Sequence, residues 1–308
     1  MASAVAHQSF MPAVIGTGAM GGAMASRLLT QGYPVQVRDT DISRQLALVA
    51  TGAVGHFSPA SLATRARVVF IVVVDAAQIR SVLSDDGGLR SALSPAHTVV
   101  FCSTISPEEM SAACELVRTI GAAAIDAPIS GGPQRALRGE MSMMLAGDPT
   151  AIEPIKPLLA QMTAQRFFIS ERPGDASRAK LVNNLVAGIN LAAAAEGLAL
   201  ARALGLDESQ MLELMRASSA QSWIGDDRMR RALDNDFLPR AQTHVLAKDL
   251  MLAQALAHRH GYPVPLGDAA RTLFEAACSA GYREEDDAAM LKYRHAWRQP
   301  QGGAQTPD

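Results

Sequence analysis

The sequence predicts an α/β fold, a doubly wound parallel sheet followed by an all-α C-terminal domain. Three observations carry this. Short aliphatic runs alternate with helical stretches through the first half, the pattern that builds a parallel sheet with helices on both faces. Residues 68–74 form an uninterrupted aliphatic run, as in a strand covered on both sides. From about Ser177 strand signals stop and an Ala-rich helical periodicity takes over.

The elements follow in order. Ala13, Val14 and Ile15 make a strand ending at Gly16, residues 20–31 a helix with Gly32 as its stop, and residues 35–37 a second strand. After the run at 68–74, Asp75 and Gln78 read as a capping box for the next helix. Residues 98–101 are another strand, after which Ser106 supplies an N-cap, Pro107 the first helical position and Glu109 the acid at the third. Gly121 stops that helix, and residues 123–126 give one more strand. Residues 177–204, closed by Gly205, make one long helix. Asp207 and Glu208 open another, and residues 246–260 and 266–279 continue the helical pattern. The expected domains are 1–176 and 177–298, with 299–308, rich in Gly, Pro and Gln, as a flexible tail.

Composition excludes several classes of function. A chain of 308 residues has room for two domains, and 48% hydrophobic against 19% charged residues is the balance of a soluble globular protein. Lys plus Arg at 28 nearly cancel Asp plus Glu at 30, so no overall field would hold a nucleic acid. Cys102, Cys114 and Cys278 are odd in number and outside any C-x-x-C spacing, as expected of reduced thiols in a cytoplasmic protein. Residues 1–11 contain no Lys or Arg and no continuous apolar core, so they fail as a secretory signal. The apolar stretch 185–206 is broken by Asn190, Glu196 and Arg202, which favours a buried helix over a membrane span. None of the histidines has a metal-ligand spacing, and G-x-S-x-G is absent, so neither a metal nor a serine-hydrolase mechanism is expected. Met141, Met143 and Met144 read as core filling, and the acidic run at 284–287 as a solvated helix start.

Gly16, Thr17, Gly18, Ala19, Met20 and Gly21 form G-x-G-x-x-G between the first strand and the first helix. There glycines let the backbone approach a pyrophosphate and the helix N-terminus faces the anion. Asp39 stands about 20 residues on, where a carboxylate accepts hydrogen bonds from the ribose hydroxyls and repels a 2′-phosphate. The cofactor expected is therefore NAD. Arg38 is the kind of residue that accommodates a 2′-phosphate, but neighbours in an extended chain point to opposite faces. Ser130, Gly131 and Gly132 follow the last strand of this half, and fit either a nest for a carboxylate or an ordinary glycine turn. Lys180 is the only lysine between Lys156 and Lys248, with Asn184 one helical turn further on the same face. Burial would bring its pKa down from ~10.4, as a general acid or base for an alcohol–carbonyl pair needs; the other reading is a lysine snorkelling at a helix end. Lys248 and Asp249, in another apolar helix, lie on a solvated edge or point into a cleft.

These segments, in this order across residues 12–293, resemble the β-hydroxyacid dehydrogenase family. The resemblance rests on the glycine motif with Met24-Ala25, on 126–132 continuing to Gly139-Glu140, on Lys180-Leu181-Val182-Asn183-Asn184, and on Lys248-Asp249-Leu250. It implies a Rossmann-type domain joined by the long helix to a helical substrate and oligomerisation domain, with the active site in the cleft between. It also implies that Lys180 is catalytic, that Asn184 orients it and the substrate, and that Ser130, Gly131 and Gly132 bind the substrate carboxylate. Val73, Val74, Thr104 and Lys248 then join the glycine loop and Asp39 in holding the cofactor. Within the family, residues 75–78, Ser222-Trp223 and 285–289 resemble the L-threonate 2-dehydrogenase group, which implies NAD and a four-carbon sugar acid oxidised at its 2-hydroxyl. Ala176 and Arg240-Ala241 depart from the family's usual glycine and Gly-Phe. The alternatives carried are a tartronate semialdehyde reductase, a 3-hydroxyisobutyrate-type dehydrogenase, or an inactive nucleotide-binding relative. The partners expected are a small hydroxyacid and further copies of the chain, as a homo-dimer or tetramer, with no nucleic acid and no membrane.

Overall fold

The computed structural model describes residues 10–84 and 86–296, so the tail expected at 299–308 lies outside the described residues, as do residues 1–9. Strands β1 (Pro12–Ile15), β2 (Gln36–Arg38), β3 (Val54–Gly55), β4 (Val68–Ile71), β5 (Thr98–Phe101) and β6 (Ala123–Asp126) run parallel in the order β3-β2-β1-β4-β5-β6. In this order the chain reverses direction across the sheet between β1 and β4, opening a crevice at the carboxyl ends of those strands. The sheet continues through β7 (Ile129–Ser130), β8 (Met141–Ala146) and β9 (Thr163–Ser170); β8 is antiparallel to β6 and β7 and parallel to β9.

The period of two along each strand divides the core. Val14, Phe70, Val100 and Ile125 face Met24 and Leu28 of α1 (Ala19–Thr30). Ala13, Ile15, Val69, Ile71 and Phe101 face Ile79 and Leu83 of α3 (Ala76–Leu83) and Met110 and Val117 of α4 (Pro107–Arg118). Helix α2 (Ile42–Val49) follows β2 and carries Asp41 as its N-cap. Met141, Met143 and Met144 are buried core residues of β8.

The aliphatic run at 68–74 is strand only to Ile71. There the paired register ends, at Ile15 on one side and Phe101 on the other, and Val74 is 43% exposed in the loop beyond. The capping pair is half of what the spacing predicts: Asp75 accepts from the Gln78 N–H at 2.8 Å, whereas Gln78 Oε1 accepts from Val74 N–H at 2.9 Å. Strand β2 lies one residue later than 35–37.

The chain divides into two compact units between Asn183 and Asn184, inside helix α5 (Asp175–Ala203), which starts two residues before the predicted 177. The second unit continues with α6 (Glu208–Ala217), α7 (Trp223–Leu233), α8 (Thr243–Arg259) and α9 (Pro265–Ala277). Leu191 and Leu198 of α5 pack with Leu212, Met229, Leu250 and Phe274 in its core. Among the described residues α5 is the one helix long and apolar enough to cross a membrane, but Leu191, Ala195 and Leu198 make it a core helix. The acidic run at 284–287 is not solvated throughout. Asp286 and Asp287 are buried, because α7 supplies counter-charges: Arg228 Nε donates to Asp287 Oδ1 at 2.7 Å, and Arg231 Nη2 lies 3.0 Å from Asp286 Oδ1. Burial pushes the Asp287 carboxyl up to about 7 against the pull of Arg228. Cys102 and Cys114 are buried and Cys278 half-buried; all are free, and burial pushes each thiol up.

Candidate active site

In the first unit the glycine loop joins β1 to α1 at the crevice. Gly16 has φ +87°, and a Cβ there would sit 2.4 Å from the Val72 carbonyl oxygen; at Gly21 it would sit 1.9 Å from the Gly16 oxygen. No side chain fits either position. Helix α1 has Gly18 as its N-cap, with no side-chain cap and no acid in its first turn, so no acid of its own first turn competes for its leading N–H groups. Arg44 Nη1 lies 3.5 Å from where a Gly18 Cβ would be, placing a cation beside the loop. Bare backbone, open N–H groups and a flanking cation fit the pyrophosphate of a dinucleotide.

Asp39, buried at the end of β2, is tied into this loop. Its Oδ2 accepts from Thr17 N–H at 2.5 Å and from Thr17 Oγ1 at 3.0 Å, and its Oδ1 accepts from Asp41 N–H at 2.8 Å. The carboxylate is therefore fixed in place and keeps lone pairs for hydroxyl donors. Val73 N–H donates to Ser103 Oγ at 3.1 Å, joining the loops after β4 and β5, and a Gly16 Cβ would reach 3.0 Å from Val73 Cγ1. Gly16, Val73 and the Ser103-Thr104 segment thus gather at the carboxyl ends of β1, β4 and β5.

Ser130 ends β7 and leads through Gly131 (φ +128°) and Gly132 (φ +75°), all three half-buried, into the short helix Gly132–Arg138. Four residues upstream, Asp126 closes β6 with a carboxylate that sequence reasoning placed only within a motif. Its Oδ2 accepts from Gly174 N–H at 2.8 Å and Ser177 N–H at 3.0 Å, and its Oδ1 from Ser177 Oγ at 2.9 Å. A buried acid from the sheet thus caps the first turn of α5. Burial pushes this carboxyl up, and the hydrogen bonds from Ser177 and Gly174 pull the other way. Lys180, one turn further along α5, is 6% exposed. Ala176, the departure from glycine, buries its methyl against Met144 and Ala146. The signal for Asp126 was an acid closing an aliphatic strand, where solvent contact alone would not require one.

In the second unit, buried Asn184 donates from Nδ2 to Asp249 Oδ2 at 2.6 Å. Lys248 Nζ lies 2.8 Å from Asp249 Oδ1, so Lys248-Asp249 is an ion pair with a buried acid and a partly exposed lysine. The loop before α8 is held by Asp286 Oδ2, which accepts from Arg240 N–H at 2.8 Å and Ala241 N–H at 3.2 Å. Sequence reasoning missed this role for the acidic run.

Residues 12–170 match the NAD-binding domain of 6-phosphogluconate dehydrogenase, and residues 174–294 match the NAD-binding domain of NADP-dependent 3-hydroxyisobutyrate dehydrogenase. L-threonate dehydrogenase of Cupriavidus necator is 34% identical over 279 residues, 91% of this chain and 94% of that one. NAD-dependent L-serine dehydrogenase of Pseudomonas aeruginosa is 32% identical over 287 residues, 91% and 96% of the two chains. The crystal structure of a 3-hydroxyisobutyrate dehydrogenase from Salmonella typhimurium superposes with a TM-score of 0.85 at 33% identity, over 92% of this chain and 99% of that one. A glycine loop shaped for a dinucleotide, with matches that span both units, identifies the chain as a member of the β-hydroxyacid dehydrogenase family, an NAD-dependent oxidoreductase acting on a hydroxyacid.

Proposed function

We propose that this dehydrogenase oxidises the 2-hydroxyl of a short sugar acid such as L-threonate, with Lys180 as the general base in that direction and the general acid in reverse. The nicotinamide, when bound, accepts the hydride from the hydroxyl-bearing carbon. Lys180 takes the hydroxyl proton; Ser130, Gly131 and Gly132 hold the carboxylate through a hydroxyl and backbone N–H groups; Asn184 orients the lysine and the substrate. Gly16, Thr17, Gly18, Ala19 and Met20 receive the pyrophosphate, Asp39 the ribose, and Val73, Val74, Thr104 and Lys248 the remainder of the cofactor. The observation that carries this reading is a lysine 6% exposed on a helix whose first turn is fixed to the sheet by Asp126.

The substrate is the finer part of the proposal. The relatives named for L-threonate and L-serine and the structure named for 3-hydroxyisobutyrate lie within 32–34% identity of this chain. Oxidation of those three acids with NAD, followed by nicotinamide absorbance, tests it. Turnover of L-threonate at least ~10-fold more efficient than of the others is expected, and a preference for 3-hydroxyisobutyrate would replace this reading with that of the alternative dehydrogenase.

NAD is expected to be strongly preferred over NADP, because a fixed carboxylate at Asp39 repels a 2′-phosphate. Asp39→Ser should narrow the gap; comparable kcat/KM with both cofactors in the wild type would refute the assignment. We also place the enzyme in the cytoplasm as a homo-oligomer, dimer or tetramer, with neither nucleic acid nor membrane as partner. Val182, Val186 and Leu200 expose 60%, 51% and 57% of their surface along α5, with Leu204 and Leu206 exposed just beyond it. An apolar stripe of this length is what a second copy would cover. A monomeric mass by light scattering at micromolar concentration would rule this out.

A further inference from the structure

The Ser130-Gly131-Gly132 turn has one flank open and one covered. Beside Gly132 the direction a side chain would take is empty, with no atom within 4 Å. Beside Gly131 that direction is filled by Arg135. A Cβ at Gly131 would lie 3.3 Å from Arg135 Cβ, 3.2 Å from its Cδ and 3.5 Å from its Nε. Helical side chains lean toward the N-terminus of their helix, and Cβ, Cδ and Nε of Arg135, in the helix Gly132–Arg138, lie against Gly131 at its start. The missing side chain at Gly131 is what lets the arginine lie on the turn. Arg135 is half-buried, as are Ser130, Gly131 and Gly132, and its Nε, where the guanidinium begins, lies over Gly131.

We propose that Arg135 is the cationic half of the substrate's carboxylate subsite and makes the enzyme selective for ionised hydroxyacids. This rests on the reading of the turn as the carboxylate-binding segment. A serine hydroxyl and backbone N–H groups donate to the oxygen of a neutral amide as well as to a carboxylate, the charged acceptor giving the stronger bonds. A guanidinium adds two parallel charge-assisted donors that match a carboxylate and not an amide. Lys180 cannot supply this discrimination, because its proton inventory changes at every turnover.

The test compares wild type, Arg135→Ala, Arg135→Lys and Ser130→Ala at saturating NAD. The probes are L-threonate, L-serine and 3-hydroxyisobutyrate, with the primary amide of whichever acid the wild type oxidises best. Arg135→Ala is expected to raise KM for the acid about 10- to 100-fold, with kcat within about threefold and the amide's KM unchanged. Arg135→Lys should recover part of the loss, since it restores the charge without the fork. Equal damage to acid and amide overturns the proposal, because it marks a residue that only shapes the turn. An unchanged KM in Arg135→Ala, alongside a raised KM in Ser130→Ala, overturns the role of the arginine and leaves the turn in place. If neither variant moves KM, or the wild type oxidises none of the three acids, the reading of the turn falls and this inference with it.

Discussion

Lys180→Ala is expected to lose at least ~100-fold in kcat while its affinity for NAD changes little. The two readouts separate chemistry from architecture. A lysine that merely packed would lower stability or raise KM when truncated, because nothing it contributed would be specific to the transition state. The pH profile adds a third check. In the oxidation direction the base must be the free amine, so the wild-type rate should rise with pH until that amine is fully formed. Lys180→Arg keeps a positive charge and a long stem but cannot release a proton at any working pH. An active Lys180→Arg enzyme with the wild-type pH profile would therefore show that the proton leaves by another route.

The second large effect is expected at Asp126, on stability before activity. Its carboxylate accepts from Gly174 N–H, Ser177 N–H and Ser177 Oγ, and is itself fully buried. Truncation to alanine strands three donors at a buried site, where each unsatisfied group costs about 1–3 kcal/mol, so about 3 kcal/mol or more should be lost. Asp126→Asn should also be damaging, since half of its amide points a donor at donors. Ser177→Ala removes only one of the three hydrogen bonds and should cost about 1 kcal/mol. Urea titration followed by circular dichroism would rank the variants; an Asp126→Ala midpoint no lower than that of Ser177→Ala would show that the cap is dispensable.

What could be read in the sequence followed from how local each signal is. The strands at 98–101 and 123–126 were legible to the residue, because aliphatic runs bounded by turn residues need no distant information. The Ser106-Pro107-Glu109 start of α4 was equally local, its cap completed by the Glu109 N–H at 3.3 Å from Ser106 Oγ. The end of β4 was not, since whether Val72, Val73 and Val74 pair depends on where β1 and β5 stop. Strands β7, β8 and β9 form an extension of mixed direction whose pairing is set by contact between distant segments. At the site, the glycines, Asp39 and Lys180 could be nominated because their chemistry is carried by residue type and spacing. Asp126 as a helix cap, Arg135 against Gly131, and Asp286 and Asp287 as buried acids depend on partners 4 to 59 residues away. A run of four acids looks solvated until Arg228 and Arg231 are known to face it.

Helix α5 is continuous from Asp175 to Ala203, yet the division between compact units falls between Asn183 and Asn184. Lys180 is thus encoded with the nucleotide-binding half and Asn184 with the helical half, although they stand one turn apart on one helix. For a chimera between relatives, a junction placed in the loop before α5 would carry both residues across with the helical half. It would also cut the Asp126 cap, whose acceptor and donors would then come from different parents. A junction at the unit boundary keeps that cap intact but takes Lys180 and Asn184 from different parents. Chimeras with a shuffled helical unit should therefore stay folded most readily when the crossover lies after Ser177, and recover turnover only when both parents present lysine and asparagine in the same helical register.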